Sequence, residues 1–529
     1  MAVLTLSTVG PWQVMTGDKT TISPQGAITP SQDYGARLSV FTPHVPIFIN
    51  GTQDFVSQGW PGSGTPEDPY LISGLNITYD LNTPLIKIIN TDARFVIVDC
   101  VLNQLSSAFN AIYLENVSGA TLQYLTVLSD AITIRLLDAD SSSMSNLNVT
   151  SVQDHGFLID SSQDVEIIDM WLCSNARGIT ANSCNNMTIR GLHHMGSSSW
   201  YSMYMTNTNF THIEDTTVIG AYSFYAGTVS DNITILDSVG VDLGIGLSLS
   251  GCFGLYAQNL SLSVGTGYGV SVSVGDDFYF RDCEFVGEAN FMKPALTVNN
   301  TVFENCRFVS WKSGITMTGG ERLVFNGCAI EDIKTGPFLD IDGVDTLEFV
   351  DNVIDGAAGT DTLILDRISS ATMTGNTFSS LAGYVVNARR TNNTVFSGNT
   401  FSSIGTMLVC EASHDWSVVD NTANDVGYGI YFQNSANISV RDNEITDTSG
   451  DGVYLDTVWG TVEVLNNDIT QASANGVLVT SVSDTDTCVQ VGHNIITDTW
   501  RGIMVQSVFN STVEYNYLND LVFAGIMIE

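Results

Sequence analysis

Positive charge is what this sequence has least of. Lysine and arginine number 18 against 56 aspartates and glutamates, a formal net charge of −38. Nucleic acid and anionic membrane surfaces are recognised through basic patches, which excludes both as partners. The same imbalance disfavours tight binding of polyanionic polysaccharides unless cations bridge them. Calcium, a hard ion that takes carboxylate and carbonyl oxygens, is the companion such a surface would favour. The competing explanation is structural: aspartate far outnumbers glutamate, and aspartate is a turn residue.

Other absences narrow the class. No stretch approaches the roughly 18–20 consecutive apolar residues that a spanning helix needs. The start, Met1-Ala-Val-Leu-Thr-Leu, has neither the basic residues nor the long apolar core of a secretory leader. The nine cysteines form no CxxC and no Cys/His cluster with zinc spacing, and an odd, unclustered set speaks against a disulfide framework. No apolar stripe of 3.6-residue period and helical length occurs after residue 80.

What is present is a repeat. The stretch Gly429–Leu455 reads GIYFQNSANISVRDNEITDTSGDGVYL and returns to its starting pattern after 23 residues. The first inward apolar residue of each repeat runs Ile86, Ile112, Ile132, Phe157, Ile179, Met203, Phe224, Leu247, Val270, Leu296, Ile315, Leu339, Leu363, Val386, Leu408, Ile430, Val453, Val477, Ile503 and Ile526. Each period holds two or three short β-favouring runs separated by Gly, Asn, Asp and Ser. Strands that short bury a face only by stacking on the next turn of chain. The pattern predicts an all-β solenoid, a single-stranded parallel β-helix of about 20 coils, roughly 95 Å long at a coil spacing of about 4.8 Å. A second column, Cys283, Cys306, Cys328, Asn352, Asn376, Asn399, Asn421, Asn443, Asn467, Asn494 and Asn516, predicts a ladder of stacked amides inside one turn. The three cysteines take the place of small buried residues there. Residues 1–53 carry no repeat and read as an irregular arm and cap, leaving 54–529 for the helix. The sequence stops inside a strand run, Gly525–Glu529, which predicts either a longer protein or an end that assembles.

At the start of the repeats the chain resembles a known group. Gly59-Trp60, Gly62, Gly64-Thr65, Pro69-Tyr70, Ile72, Leu75 and Ile77 match the GWxGxGTxxxPYxIxxLxI opening of secreted right-handed parallel β-helix repeat proteins, the NosD-like or CASH-type group of the pectin-lyase-like superfamily. These are common on archaeal and bacterial surfaces. With the repeats the resemblance covers residues 41–529. It implies a right-handed helix and an extracellular or cell-surface location, and it names no activity. The GHG and RIK motifs of polygalacturonase-type helices, the DPHE-like motif of alginate epimerases and an RxPxxR lyase motif are all absent.

Two residues before the inward anchors the register predicts a column containing Asp130, His155, Arg177 and Tyr201. This is the inventory of a polysaccharide lyase or epimerase: Arg177 to neutralise a uronate carboxylate, His155 or Tyr201 to exchange the C5 proton. Asp154 would set the His155 tautomer. The competing reading is a solvated column with a tyrosine ladder. Trp200, Tyr204, Tyr222 and Tyr225, on neighbouring coils, suit stacking on sugar rings. One position after the anchors, Val409, Tyr431, Tyr454, Leu478, Met504 and Met527 form a stripe that turns apolar only toward the C-terminus, which predicts a covered surface and a homo-oligomer or filament. Twelve Asn-x-Ser/Thr sites, at Asn50, Asn76, Asn116, Asn148, Asn186, Asn209, Asn232, Asn259, Asn299, Asn392, Asn437 and Asn510, fit a glycosylated exterior protein. The expectation is an extracellular structural or adhesive β-helix that binds glycan or itself and requires no cofactor. The alternative is a carbohydrate-active enzyme of lyase or epimerase type acting on an anionic polysaccharide.

Overall fold

The computed structural model describes residues 41–529 except Ser198, 294–297, Ala358, Thr360 and 483–486. It is a right-handed parallel β-solenoid of about 19 turns. Among the described residues every strand pairing is parallel, and the one helix is the short Thr52–Ser57. A representative coil has a strand Val453–Asp456 on one face, Trp459–Leu465 on the second and Asp468–Ala472 on the third. The chain then returns to the first face at Asn475–Thr480. These are called faces 1, 2 and 3 below.

The inward residues stack in register. Ile430 pairs with Val453, Val453 with Val477, Val477 with Ile503 and Ile503 with Ile526. Burial alternates along each strand because successive side chains point to opposite sides of the sheet. Three anchors differ from the sequence expectation. Ile134, not Ile132, pairs with Ile112 and Phe157. Tyr225, not Phe224, sits between Met203 and Leu247. Leu296 lies outside the described residues, and Met292 is the partner of Val270. In the first two cases apolar residues stand at both candidate positions, so the turn that precedes the strand decides the register.

Between faces 2 and 3 lies the ladder. Asn352 Nδ2 donates to Asn376 Oδ1 at 3.0 Å, and the same bond repeats from Asn376 through Asn494 to Asn516 at 2.9–3.0 Å. Each Nδ2 also reaches a strand carbonyl, as Asn376 does to Phe349 O at 2.8 Å. Cys283, Cys306 and Cys328 are buried thiols whose Sγ atoms approach the equivalent carbonyls of Ala257, Phe280 and Phe303 at 3.4–3.5 Å. A thiol therefore fills the donor role of the amide. The residue just before each ladder position turns left-handed: Asp420, Asp442, Asn466 and His493 have φ of 54–56°. Asp and Asn are the side-chain-bearing residues that best tolerate this conformation, which accounts for part of the aspartate excess.

At the N-terminal end the strand Ile47–Asn50 already pairs with Ile86–Thr91. Phe55 of the short helix is fully buried and stacks on Tyr70 with ring centroids 4.5 Å apart. The solenoid thus recruits residues from 42 onward.

Candidate functional site

Face 1 of the N-terminal half carries an outward column of unusual composition. Phe48, Lys87, Tyr113 and Arg135 are consecutive neighbours across coils. Lys87 lies 5.6 Å from the Phe48 ring and 5.2 Å from Tyr113, and Arg135 lies 5.7 Å from Tyr113. Lys87 rests between two aromatic faces and Arg135 over one, each attracted through the ring quadrupole. Arg135 also meets Asp160 at 3.7 Å.

Beside it runs the column that the repeat pattern singled out. Thr133 N donates to His155 O at 3.1 Å, Gly156 N to Arg177 O at 3.0 Å, and Gly178 N to Tyr201 O at 3.1 Å. His155, Arg177 and Tyr201 are therefore stacked coil upon coil. Asp130 is not among them: Ile132, two residues before the Ile134 anchor, occupies its place. Ser223 pairs with Tyr201 on the next coil, and Tyr222 lies one position earlier, its N donating to Trp200 O at 2.7 Å.

Arg177 is the centre of this surface. Its guanidinium carbon lies 4.0 Å from the Tyr204 ring centroid, 5.9 Å from Trp200 and 6.0 Å from Tyr201. Tyr201 packs at 5.4 Å against Tyr204 and edge-on at 5.3 Å against Tyr222. Among the described residues Arg177 has no ion pair, and its buried Nε makes no hydrogen bond. A half-buried guanidinium with no ion pair among the described residues is chemically suited to pair with an anion. Beyond Tyr222 the surface opens into a cleft of about 540 Å³ lined by Tyr222, Asp242, Leu243, Gly244, Ile245, Gly265, Thr266, Gly267 and Tyr268. Its floor is backbone: a Cβ on Gly267 would stand 1.9 Å from Gly244 O.

The reactive groups are unequal. Asp154 Oδ1 accepts from His155 N at 2.8 Å and also contacts His155 Nδ1, so the far nitrogen of this ring is the one left for chemistry. The Tyr201 phenol is pushed up from its ordinary range, first by burial and then by Tyr222 and Tyr204, with Arg177 opposing. It is a phenol at neutral pH, a poor proton acceptor. Tyr225 is a correction: it is fully buried in the core and cannot meet a sugar. Trp200 is 43% exposed, and Tyr204 and Tyr222 are half-buried with one side open.

A buried residue not anticipated from sequence fixes this corner. His194 Nε2 lies 2.9 Å from Ser174 Oγ and Nδ1 lies 2.8 Å from Ser202 Oγ. Ser174 gives its own proton to Ala176 O at 3.3 Å, so it accepts from Nε2–H, and Nδ1 accepts from the Ser202 hydroxyl. Burial depresses the His194 pKa to about 4. The neutral ring thereby ties the strand that carries Tyr201 and Tyr204 to the coil that carries Arg177. Gly178 permits the contact: a Cβ there would lie 2.5 Å from Ser202 O and 3.0 Å from the imidazole.

Elsewhere, Val409, Tyr431, Tyr454, Leu478, Met504 and Met527 are consecutive partners along face 1, all half-buried, and Tyr431 stacks on Tyr454 at 4.8 Å. The twelve glycosylation-motif asparagines all lie outside the core. No group of three or more His, Cys, Asp or Glu among the described residues converges to hold a metal ion.

A right handed beta helix region model matches residues 244–361 and 339–487. No curated protein matches the chain. Among solved structures, the chain is similar to the family 28 exopolygalacturonase of Yersinia enterocolitica at 9% identity and a TM-score of 0.27, covering 74% of this chain and 78% of that one. The catalytic domain of a GH87 alpha-1,3-glucanase matches at 12% identity and TM-score 0.23, covering 96% of this chain and 68% of that one. PfbA, a surface adhesin of Streptococcus pneumoniae, matches at 11% identity and TM-score 0.19, covering 73% and 85%. None of these likenesses carries an activity to this chain.

Proposed function

We propose that this chain is an extracellular or cell-surface β-helix that binds an acidic glycan on face 1 without transforming it. The observation that carries the reading is Arg177, unpaired and boxed by Trp200, Tyr201 and Tyr204. A guanidinium held this way presents its free edge to a carboxylate in a bidentate pair. The exposed faces of Trp200 and Tyr222 stack on the adjoining sugar rings. The Arg177 guanidinium serves one carboxylate, and the net charge of −38 repels continuous runs of them. The preferred ligand is therefore a heteropolysaccharide with uronate residues spaced by neutral sugars. The external location is supported by the surface placement of all twelve glycosylation motifs. An array of acidic and neutral oligosaccharides tests the reading: spaced-uronate glycans should bind above both homopolyuronates and neutral chains. Equal binding of all three would remove it.

The Asp154–His155 contact favours a second reading, a lyase or epimerase in which Arg177 neutralises the uronate and His155 withdraws the C5 proton. Incubation with uronate polymers decides it. A lyase generates an unsaturated, ultraviolet-absorbing product, an epimerase exchanges C5 hydrogen with solvent, and a binding protein does neither.

A further inference from the structure

Face 2 of the coils between residues 209 and 281 has its own outward column. His212 pairs with Thr234, Thr234 with Tyr256, and Tyr256 with Tyr279. The two tyrosine rings stack nearly parallel, 5.5 Å apart at 7°, and the Tyr279 hydroxyl contacts Glu304. Tyr279 thereby covers one face of Tyr256. The other face of Tyr256 looks along the column toward His212, across a coil whose outward residue is only threonine. Two coil spacings put His212 and Tyr256 about 9.6 Å apart. A ring in van der Waals contact on both sides, at about 3.5–4.0 Å each, needs roughly 7–8 Å. The gap over Thr234 is one ring wide.

The edges of the gap are built as well. In the neighbouring left-handed column, Phe210, Asn232, Gly254 and Asp277 follow one another with φ of 53°, 55°, 74° and 55°. Gly254 has no side chain, so a hollow opens between Asn232 and Asp277. Asn232 Oδ1 would stand 3.3 Å from a Cβ placed on that glycine. The whole forms a cleft of about 470 Å³ whose walls are His212, Tyr256 and Phe210, the last 57% exposed. Its polar groups are the Asn232 amide, the Thr234 hydroxyl and the Asp277 carboxylate, an inventory suited to sugar hydroxyls. The charged neighbours are acidic: Asp277, and Glu214, which lies 3.5 Å from His212 Nε2. Among the described residues no lysine or arginine lines this cleft.

We infer that face 2 carries a separate saccharide slot, in which one neutral pyranose ring of a glycan is sandwiched between His212 and Tyr256 over Thr234. The slot is distinct from the Arg177 surface in face and in charge, and it selects against carboxylates. One chain would then hold acidic and neutral glycan units on two sides of the same coils.

The test is titration calorimetry of the full chain with cellohexaose, xylohexaose, mannohexaose and chitohexaose. Thr234→Tyr fills the gap by extending the Tyr256–Tyr279 stack one coil, and Tyr256→Ala removes a wall. Ser417→Tyr adds the same ring further along the same column, where Val395 pairs with Ser417, and serves as control. At least one hexasaccharide should bind, Thr234→Tyr and Tyr256→Ala should each weaken it at least tenfold, and Ser417→Tyr should leave it within twofold. Binding by none of the four, or binding unchanged in Thr234→Tyr, overturns the inference. Should Tyr256→Ala lose its folded circular-dichroism signature, the Thr234→Tyr result alone decides.

Discussion

Replacing Asn421 by alanine removes a rung from the middle of the amide ladder, and the structure says which groups are stranded. Asn421 Nδ2 donates to Phe396 O at 2.9 Å, and its Oδ1 accepts from Asn399 N at 3.0 Å. Both partners are deep inside the coil and would lose these bonds. Other bonds survive: Asn443 Oδ1 keeps the donor Asn421 N at 3.1 Å, and Asn399 Nδ2 keeps Met373 O at 3.0 Å. Two orphaned buried groups at about 1–3 kcal/mol each give an expected loss of about 2–6 kcal/mol. Asn516→Ala is the matched control, because Asn516 is half-buried and water can replace its bonds; about 1 kcal/mol or less is expected there. Each coil touches only its neighbours, so the damage is local. Amide hydrogen exchange at Asn399 is the direct readout, with denaturant unfolding alongside. Unchanged exchange at Asn399, together with stability within about 0.5 kcal/mol of the parent, would refute the claim that the ladder holds the coils in register.

Three further outcomes are expected. The His194 imidazole has a folded pKa of about 4 against an ordinary 6.5. Between those values the unfolded chain binds a proton that the folded chain refuses, so stability falls as pH drops through the window, by about 3 kcal/mol in full. His194→Gln should flatten that part of the stability–pH profile; an unaltered slope assigns the effect to other groups. Should the stripe from Val409 to Met527 mediate association of two copies, sedimentation will show a concentration-dependent oligomer that Tyr454→Lys dissociates. A parent chain monomeric at high concentration contradicts that assignment. Trp200→Ala should weaken acidic glycan binding by about 2- to 13-fold, from a stacking contribution of about 0.5–1.5 kcal/mol, without altering the melting temperature, since Trp200 is 43% exposed.

The fold was legible because a solenoid writes its period into the sequence. The inward residues from Ile315 to Ile526 recur against turns of nearly constant length, and the Asn frame from Asn352 to Asn516 marks one corner of each coil. The candidate site was legible only in part. His155, Arg177 and Tyr201 could be aligned because each precedes its anchor by two residues, whereas Asp130 was misplaced where apolar Ile132 and Ile134 compete for one position. Tyr225 was misassigned for the same reason, next to Phe224. His194 was hidden by a change of parity: in the strand Asn185–Met195, Met187 and Ile189 point inward, then the left-handed Gly191 (φ 64°) shifts the phase so that Leu192 and His194 do. His193 is left outside, stacked on Trp171 at 4.7 Å. The face 2 gap required the register of the second strand in each coil, which depends on turn geometry that no single repeat reveals.

The most direct test of the central claim is calorimetric titration of an oligosaccharide carrying one uronate among neutral sugars into the parent chain and into Arg177→Gln. Loss of a charge-assisted hydrogen-bonded pair is worth about 1.5–3 kcal/mol, so the account predicts affinity falling about 10- to 150-fold with the fold intact. Adding salt should weaken the parent but hardly move the variant. Equal affinity in the two proteins, or a ligand that prefers the variant, would contradict the assignment of Arg177 as the carboxylate-binding residue.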